Sequence, residues 1–162
     1  MSKLDKIFIL IAFNLSIIFG VFLIGYKSDQ QKQLRVQKIS DGRNIINSDK
    51  ILNYEIEVMS QNNNLYNISG WALVKGIESK DVDPAIILAD DKNNYYKVKT
   101  KIVKRADIKE EINDGLSYMN SGITSEFYLD GLDKNNEYKI GINMKIGQNE
   151  YFTWTDKKIV FK

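Results

Sequence analysis

Residues 51–74 read ILNYEIEVMSQNNNLYNISGWALV, and their spacing settles the fold class. Leu52, Tyr54, Ile56 and Val58 alternate with Asn53, Glu55 and Glu57. A period of two puts the two sets on opposite faces of a pleated strand, so the segment is a half-buried strand and not a helix. Gln61-Asn62-Asn63-Asn64 supplies turn residues, and residues 65–74 form a second strand. Trp71 lies in the most apolar part of that strand and is expected in the core.

The same period continues toward the C-terminus. Strands are expected over 85–89, 95–103, 123–129, 138–146 and 151–155, with 159–161 closing the chain. Residues 106–116 lack alternation and allow one helical turn. Seven or eight short strands, with turn signals every eight to twelve residues, predict an all-β fold: an antiparallel Ig-like β-sandwich over 51–162.

Upstream the character changes. Residues 7–25 (IFILIAFNLSIIFGVFLIG) are free of charge, and as a helix they span roughly 28 Å, close to the hydrocarbon thickness of a bilayer. Lys3 and Lys6 precede the run, and no Ala-x-Ala cleavage pattern follows it. An uncleaved N-terminal membrane anchor over 1–27 is therefore expected. Lys27, Lys32, Arg35 and Lys38 on the far side favour a cytoplasmic C-terminal part under the positive-inside rule. A short charged N-terminus before an apolar run is nevertheless how an export signal begins, and long domains translocate largely regardless of charge. The expected arrangement is a single-pass protein of the cell membrane with its domain outside. Residues 28–50 are polar, broken at Ser40-Asp41-Gly42, and read as a stalk.

Composition narrows the chemistry. Beyond Lys27 the chain carries 20 Lys and Arg against 20 Asp and Glu, so nucleic acid is not expected as a partner. The absence of His and Cys removes Ser-His-Asp and Cys-His nucleophile arrangements and nearly all zinc designs. The carboxylate pairs that remain (Glu55/Glu57, Asp90/Asp91, Glu110/Glu111) read as solvated charges. Asp81-Val82-Asp83, Asp90–94 and 130–137 resemble no EF-hand, and Asp and Asn are ordinary turn residues. The expectation is a protein that is not an enzyme and carries no cofactor or metal.

Two resemblances add to this reading. Leu132-Asp133-Lys134-Asn135-Asn136-Glu137-Tyr138 resembles the corner before the sixth strand of fibronectin type III and related Ig-like sandwiches, where the Tyr hydroxyl bonds back to the loop backbone. The usual Pro-Gly of that turn is replaced by Asn135-Asn136. Gly70-Trp71-Ala72, Arg105-x-Asp107-Ile108, Tyr118-x-x-Ser121-Gly122-Ile123 and Leu132…Tyr138-Lys139-Ile140-Gly141-Ile142 together resemble accessory β-sandwich domains of Gram-positive envelope proteins. Those domains accompany teichoic-acid and surface-polysaccharide assembly. The resemblance implies an extracytoplasmic, carbohydrate-related setting in a Gram-positive bacterium and carries no catalytic residue.

Candidate binding residues follow from charge and aromatic placement. Lys97, Lys99 and Lys101 alternate along one strand face, within a stretch free of acid from Lys92 to Ala106. Three ammonium groups projecting together suit the phosphates of an anionic cell-wall glycopolymer. The competing reading is a solvated outer face whose lysines block edge-to-edge pairing. Tyr95, directly after a turn, and Trp154 are the aromatics expected at the surface, where a ring stacks on a sugar. Arg105 and Asp107 are expected to pair. The leading expectation is an accessory domain for envelope glycopolymer assembly; the alternative is a protein-interaction subunit of a membrane complex.

Overall fold

The period-two stretches form strands as expected. The computed structural model describes residues 3–40, 52–112 and 114–161. Two compact units emerge, Met1–Gln33 and Leu34–Lys162. The first is helix α1, Lys3–Gln33, whose described side chains from Phe13 to Ser28 are exposed except at Gly20. Phe13, Phe19, Phe22 and Ile24 are among them, so the apolar character runs around the helix and does not form one stripe. Among the described residues no helix is long and apolar enough to cross a membrane. The side chains of residues 7–12, the first part of the expected anchor, lie outside those described.

The second unit is all-β and mostly antiparallel. Its strands are β1 (Gln37–Ile39), β2 (Leu52–Asn62), β3 (Leu65–Val74), β4 (Val82–Ala89), β5 (Tyr95–Val103), β6 (Gly122–Tyr128), β7 (Tyr138–Ile146) and β8 (Asn149–Ile159). A short helix, α2 (Asp107–Ile112), stands where alternation fails. The strands pair in the order β2-β3-β6-β5-β4-β7-β8, with β1 added beside β5. The two ends of this ladder, β2 and β8, approach each other, so the sheet curls into a nearly closed, barrel-like wall.

Strand β5 is the pivot. Its residues Tyr95–Lys99 pair with β4, and Thr100–Val103 pair with β6. β1 fills the other side of Tyr95–Lys97. The segment expected as a stalk therefore contributes a strand; residues 41–50 of it lie outside the described residues. The two strands expected over 151–155 and 159–161 are one, β8, and Phe161 lies beyond its end.

One face of every long strand fills the core. Ile68, Ile86, Leu88, Val98, Phe127, Ile140, Ile142 and Met144 are all buried in one cluster. Each such side chain contributes roughly 1.5–3 kcal/mol by leaving water, against the entropy of ordering the chain. Tyr138 is completely buried, and its hydroxyl accepts from the Asp133 N–H (2.8 Å) and donates to the Asp133 carbonyl (3.2 Å). The loop entering β7 is thus tied to the strand it precedes.

Trp71 differs from expectation. It is half-buried on the opposite face of β3, in a second cluster with Leu73, Ile108, Ile112, Leu116 and Tyr118. The C-terminal part of β3 is apolar on both faces, α2 covers the outer one, and Trp71 belongs to that outer layer. Nearby, the β2–β3 pairing slips between Ile56 and Val58. Glu57 occupies this bulge opposite Gly70, where a Cβ would collide with the Glu55 backbone.

Candidate functional site

The outer face of β5, β4, β7 and β8 assembles most of the residues singled out above. The alternation that sends Tyr96 and Val98 inward sends Tyr95, Lys97 and Lys99 outward. Register then fixes their neighbours. Lys97 lies opposite Gln37 on one side and Ile87 on the other, Ile87 opposite Gly141, and Gly141 opposite Trp154. Lys99 lies opposite Ala85, and Ala85 and Phe152 flank Asn143. Tyr95, Lys97, Lys99 and Trp154 thus share one surface. Lys101 follows on the same face of β5, but opposite Thr124, where the strand has passed to β6.

Lys97, Lys99 and Lys101 are all exposed. β5 is paired on both sides over Tyr95–Lys97, by β1 and β4, and on one side beyond, to β4 through Lys99 and to β6 from Thr100. Protection of a free edge therefore does not account for Lys97. Lys139 and Lys145 of β7 are exposed on the same face and extend its positive charge, with Asp83 and Glu150 set against Lys145.

Between the lysines lies an aromatic and apolar floor. Ala85, Ile87 and Phe152 are buried, and Ile39, Tyr95 and Trp154 pack against them. Tyr95 and Trp154 belong to strands three steps apart, about 14 Å at the usual strand spacing. Their ring centroids are nevertheless 6.5 Å apart, because both lean over the small residues between them. Gly141 makes this feasible: a Cβ there would stand 2.5 Å from the Phe152 ring and 3.0 Å from Trp154. Phe152 and Trp154 meet edge-to-face at 4.9 Å, which holds the Trp154 indole in place.

The turn before Tyr95 is rigidly built. Asp90 accepts from the backbone N–H groups of Lys92 (3.0 Å) and Asn94 (2.8 Å) and from the Asn94 side chain (2.8 Å). Burial alone would raise the Asp90 pKa, but the donors from Asn94 and Lys92 outweigh it and hold the carboxyl below its ordinary value. Asn93 takes positive φ (59°), a conformation Asn tolerates. This is an Asx turn, and it explains the Asp90–Asn94 cluster without a metal. Among the described residues no group of three His, Cys, Asp or Glu side chains is placed to hold one.

A cleft of about 330 Å³ crosses this face, lined by residues of β1 together with Ile87, Lys97, Asn143 and Glu150. Asn143 is 6 % exposed, and its Nδ2 donates to Glu150 Oε1 at 2.6 Å. Its Oδ1 has no hydrogen-bond partner among the described residues.

A second, larger cleft of about 500 Å³ lies beside α2, lined by Trp71, Tyr54, Asn53, Lys75, Leu52, Ile108 and Ile112. The motif residues nearby serve structure. Arg105 donates from Nε and Nη2 to Asp107 (2.7–3.2 Å) and from Nη1 and Nη2 to Glu57 (2.8 and 2.9 Å). The bond from Arg105 lowers the Asp107 pKa, and the two carboxylates raise that of Arg105. Tyr118 donates to Asp114 and accepts from the Gly76 N–H, tying the α2 segment to the end of β3. The expected Arg105–Asp107 pair is thus present and clamps α2.

Sequence reasoning did not reach Asn143, Phe152 or β1, and it named Gly141 only within a motif. A polar or glycine residue in mid-strand was legible as a departure from the apolar pattern, but its neighbours come from register. Comparison with known protein families, curated proteins and solved structures returns no match for this chain.

Proposed function

We propose that the chain is a membrane-anchored, extracytoplasmic domain of Ig-like sandwich type that binds an anionic envelope glycopolymer without transforming it. The observation that carries this reading is the gathering of Tyr95, Lys97, Lys99 and Trp154 on one face of an interior strand system. Cations set beside a stacking platform suit a chain of alternating phosphates and sugars. The apolar side chains exposed around α1 support its role as anchor.

The test uses the full chain in detergent micelles and purified teichoic acid, with binding read by calorimetry across a salt series. Exposed charges are screened over about 8–10 Å at physiological ionic strength, so affinity falls as salt rises. Replacing Lys97, Lys99 and Lys101 together with Gln should reduce binding at least tenfold while leaving the denaturation midpoint unchanged. Parental binding by the triple variant would refute the reading and turn attention to a protein partner.

A further inference from the structure

The polar end of the cleft on the lysine-bearing face has an acceptor that no described residue satisfies. Asn143 stands in mid-β7 between Ala85 and Phe152, a position otherwise suited to an apolar side chain. Its amide orientation follows from chemistry: the Glu150 carboxylate only accepts, so the amide nitrogen must face it and Oδ1 must face away. A buried acceptor without a partner is costly to the folded state and is rare in native proteins. Glu150, exposed at the rim, offers further acceptor capacity, while Lys97 and Gln37, paired across β5 and β1, are the side-chain donors on this face.

This donor and acceptor set discriminates among ligand classes. A phosphodiester, the form in which phosphate links a glycopolymer, carries no proton to donate to Asn143 Oδ1 and is repelled by Glu150. A cation meets Lys97. A hydroxyl group both donates and accepts, so vicinal hydroxyls satisfy both ends of the cleft. The cleft volume of about 330 Å³ falls at the small end of ligand sites, which run from roughly 300 Å³ upward. Ile39 and Ile87 line it and belong to the same apolar cluster as Tyr95 and Trp154, which supplies a surface for the apolar face of a ring.

We infer that this cleft is a subsite for one neutral, hydroxyl-bearing sugar ring, which donates a hydroxyl to Asn143 Oδ1 and is bordered by Tyr95 and Trp154. The inference rests on the glycopolymer reading and divides its labour: the lysines attract the polyanion by charge, and Asn143 reads the sugar.

Saturation-transfer NMR on the full chain, in a detergent without a sugar headgroup, tests this with N-acetylglucosamine, glucose, ribitol and inorganic phosphate offered separately. The expected result is saturation of the ring protons of at least one of the two sugars, insensitive to salt, with ribitol weaker for lack of a ring. Asn143→Leu should weaken that sugar at least tenfold while the denaturation midpoint stays level or rises, since a stranded acceptor has been removed. A structural Asn would instead lower the midpoint. Glu150→Gln, at an exposed position, provides the same readout if Asn143→Leu fails to fold, with at least a threefold loss expected. Lys99→Gln/Lys101→Gln, which spares the cleft-lining Lys97, should weaken teichoic acid and keep the monosaccharide. Polymer binding without any sugar saturation, or sugar binding unchanged in both Asn143→Leu and Glu150→Gln, would overturn the subsite and leave the lysine reading standing. Sugar binding without polymer binding would do the reverse.

Discussion

Removing one oxygen atom measures how much the corner at Tyr138 holds. Tyr138→Phe keeps the ring and its edge-to-face contacts with Tyr96 and Phe161, each at 5.8 Å, so no cavity forms. What disappears is the bond accepted from the Asp133 N–H at 2.8 Å and the longer one donated to the Asp133 carbonyl at 3.2 Å. A net hydrogen bond contributes about 0.5–1.5 kcal/mol. The shorter bond falls inside that range and the longer one at its foot, so the expected loss is about 1–2 kcal/mol. Asp133 is exposed, which lets water reach part of the vacated backbone and caps the cost. Urea denaturation of a chain beginning at Leu34, followed by near-ultraviolet circular dichroism, should show a lower midpoint at unchanged slope. An unchanged midpoint would refute the corner as a source of stability; a loss above about 4 kcal/mol would mean that the ring itself had moved, since that is the range of large core truncations.

Two further outcomes follow from the same geometry. Deleting residues 34–40 strips β1 from β5 and leaves the backbone of Tyr95–Lys97 unpaired along one side, which should cost about 1–3 kcal/mol and promote self-association, seen by light scattering. Asp90→Ala should destabilise the β unit by about 2 kcal/mol at neutral pH, through lost charge-assisted bonds at the Tyr95 turn. Because the folded-state pKa of Asp90 is depressed, its contribution is full above the unfolded value of about 3.9 and fades as pH falls through the lower folded value. The gap between parent and variant should therefore close in acid; a gap that widened there would contradict the assigned bonds.

Much of the all-β core was legible because its apolar residues alternate in sequence with polar or small ones. β2, β5 and β7 show the period directly, and the hairpin turns carry Asn or Gly where expected. The failures have physical causes. β1 is three residues long and forms by completing the open side of β5, a backbone interaction that leaves no side-chain period. Residues 149–159 read as two strands because Asp156, Lys157 and Lys158 interrupt the alternation, close to the register shift opposite Lys139 and Gly141. Trp71 was assigned to the core because apolar residues on both faces of β3 give no hint of which face meets α2. For the site, the exposed lysines and aromatics were readable singly. Their assembly depends on Gly141 and on strand order, which joins β4 to β7 across more than fifty residues.

The strand order also carries a history of assembly. β4, β5 and β6 are neighbours both in sequence and in the sheet, and so are β2 with β3 and β7 with β8. Only two seams join these three local pieces: β3 to β6, and β4 to β7. Each brings together residues about 57 apart, Ile68 with Ser125 and Ile86 with Ile142. Closing such loops is an entropic toll that the local hairpins do not face, so the two seams are the slow events in building the wall. The pieces meet on either side of β5, and the surface bearing Tyr95, Gly141 and Trp154 exists only once the second seam has closed.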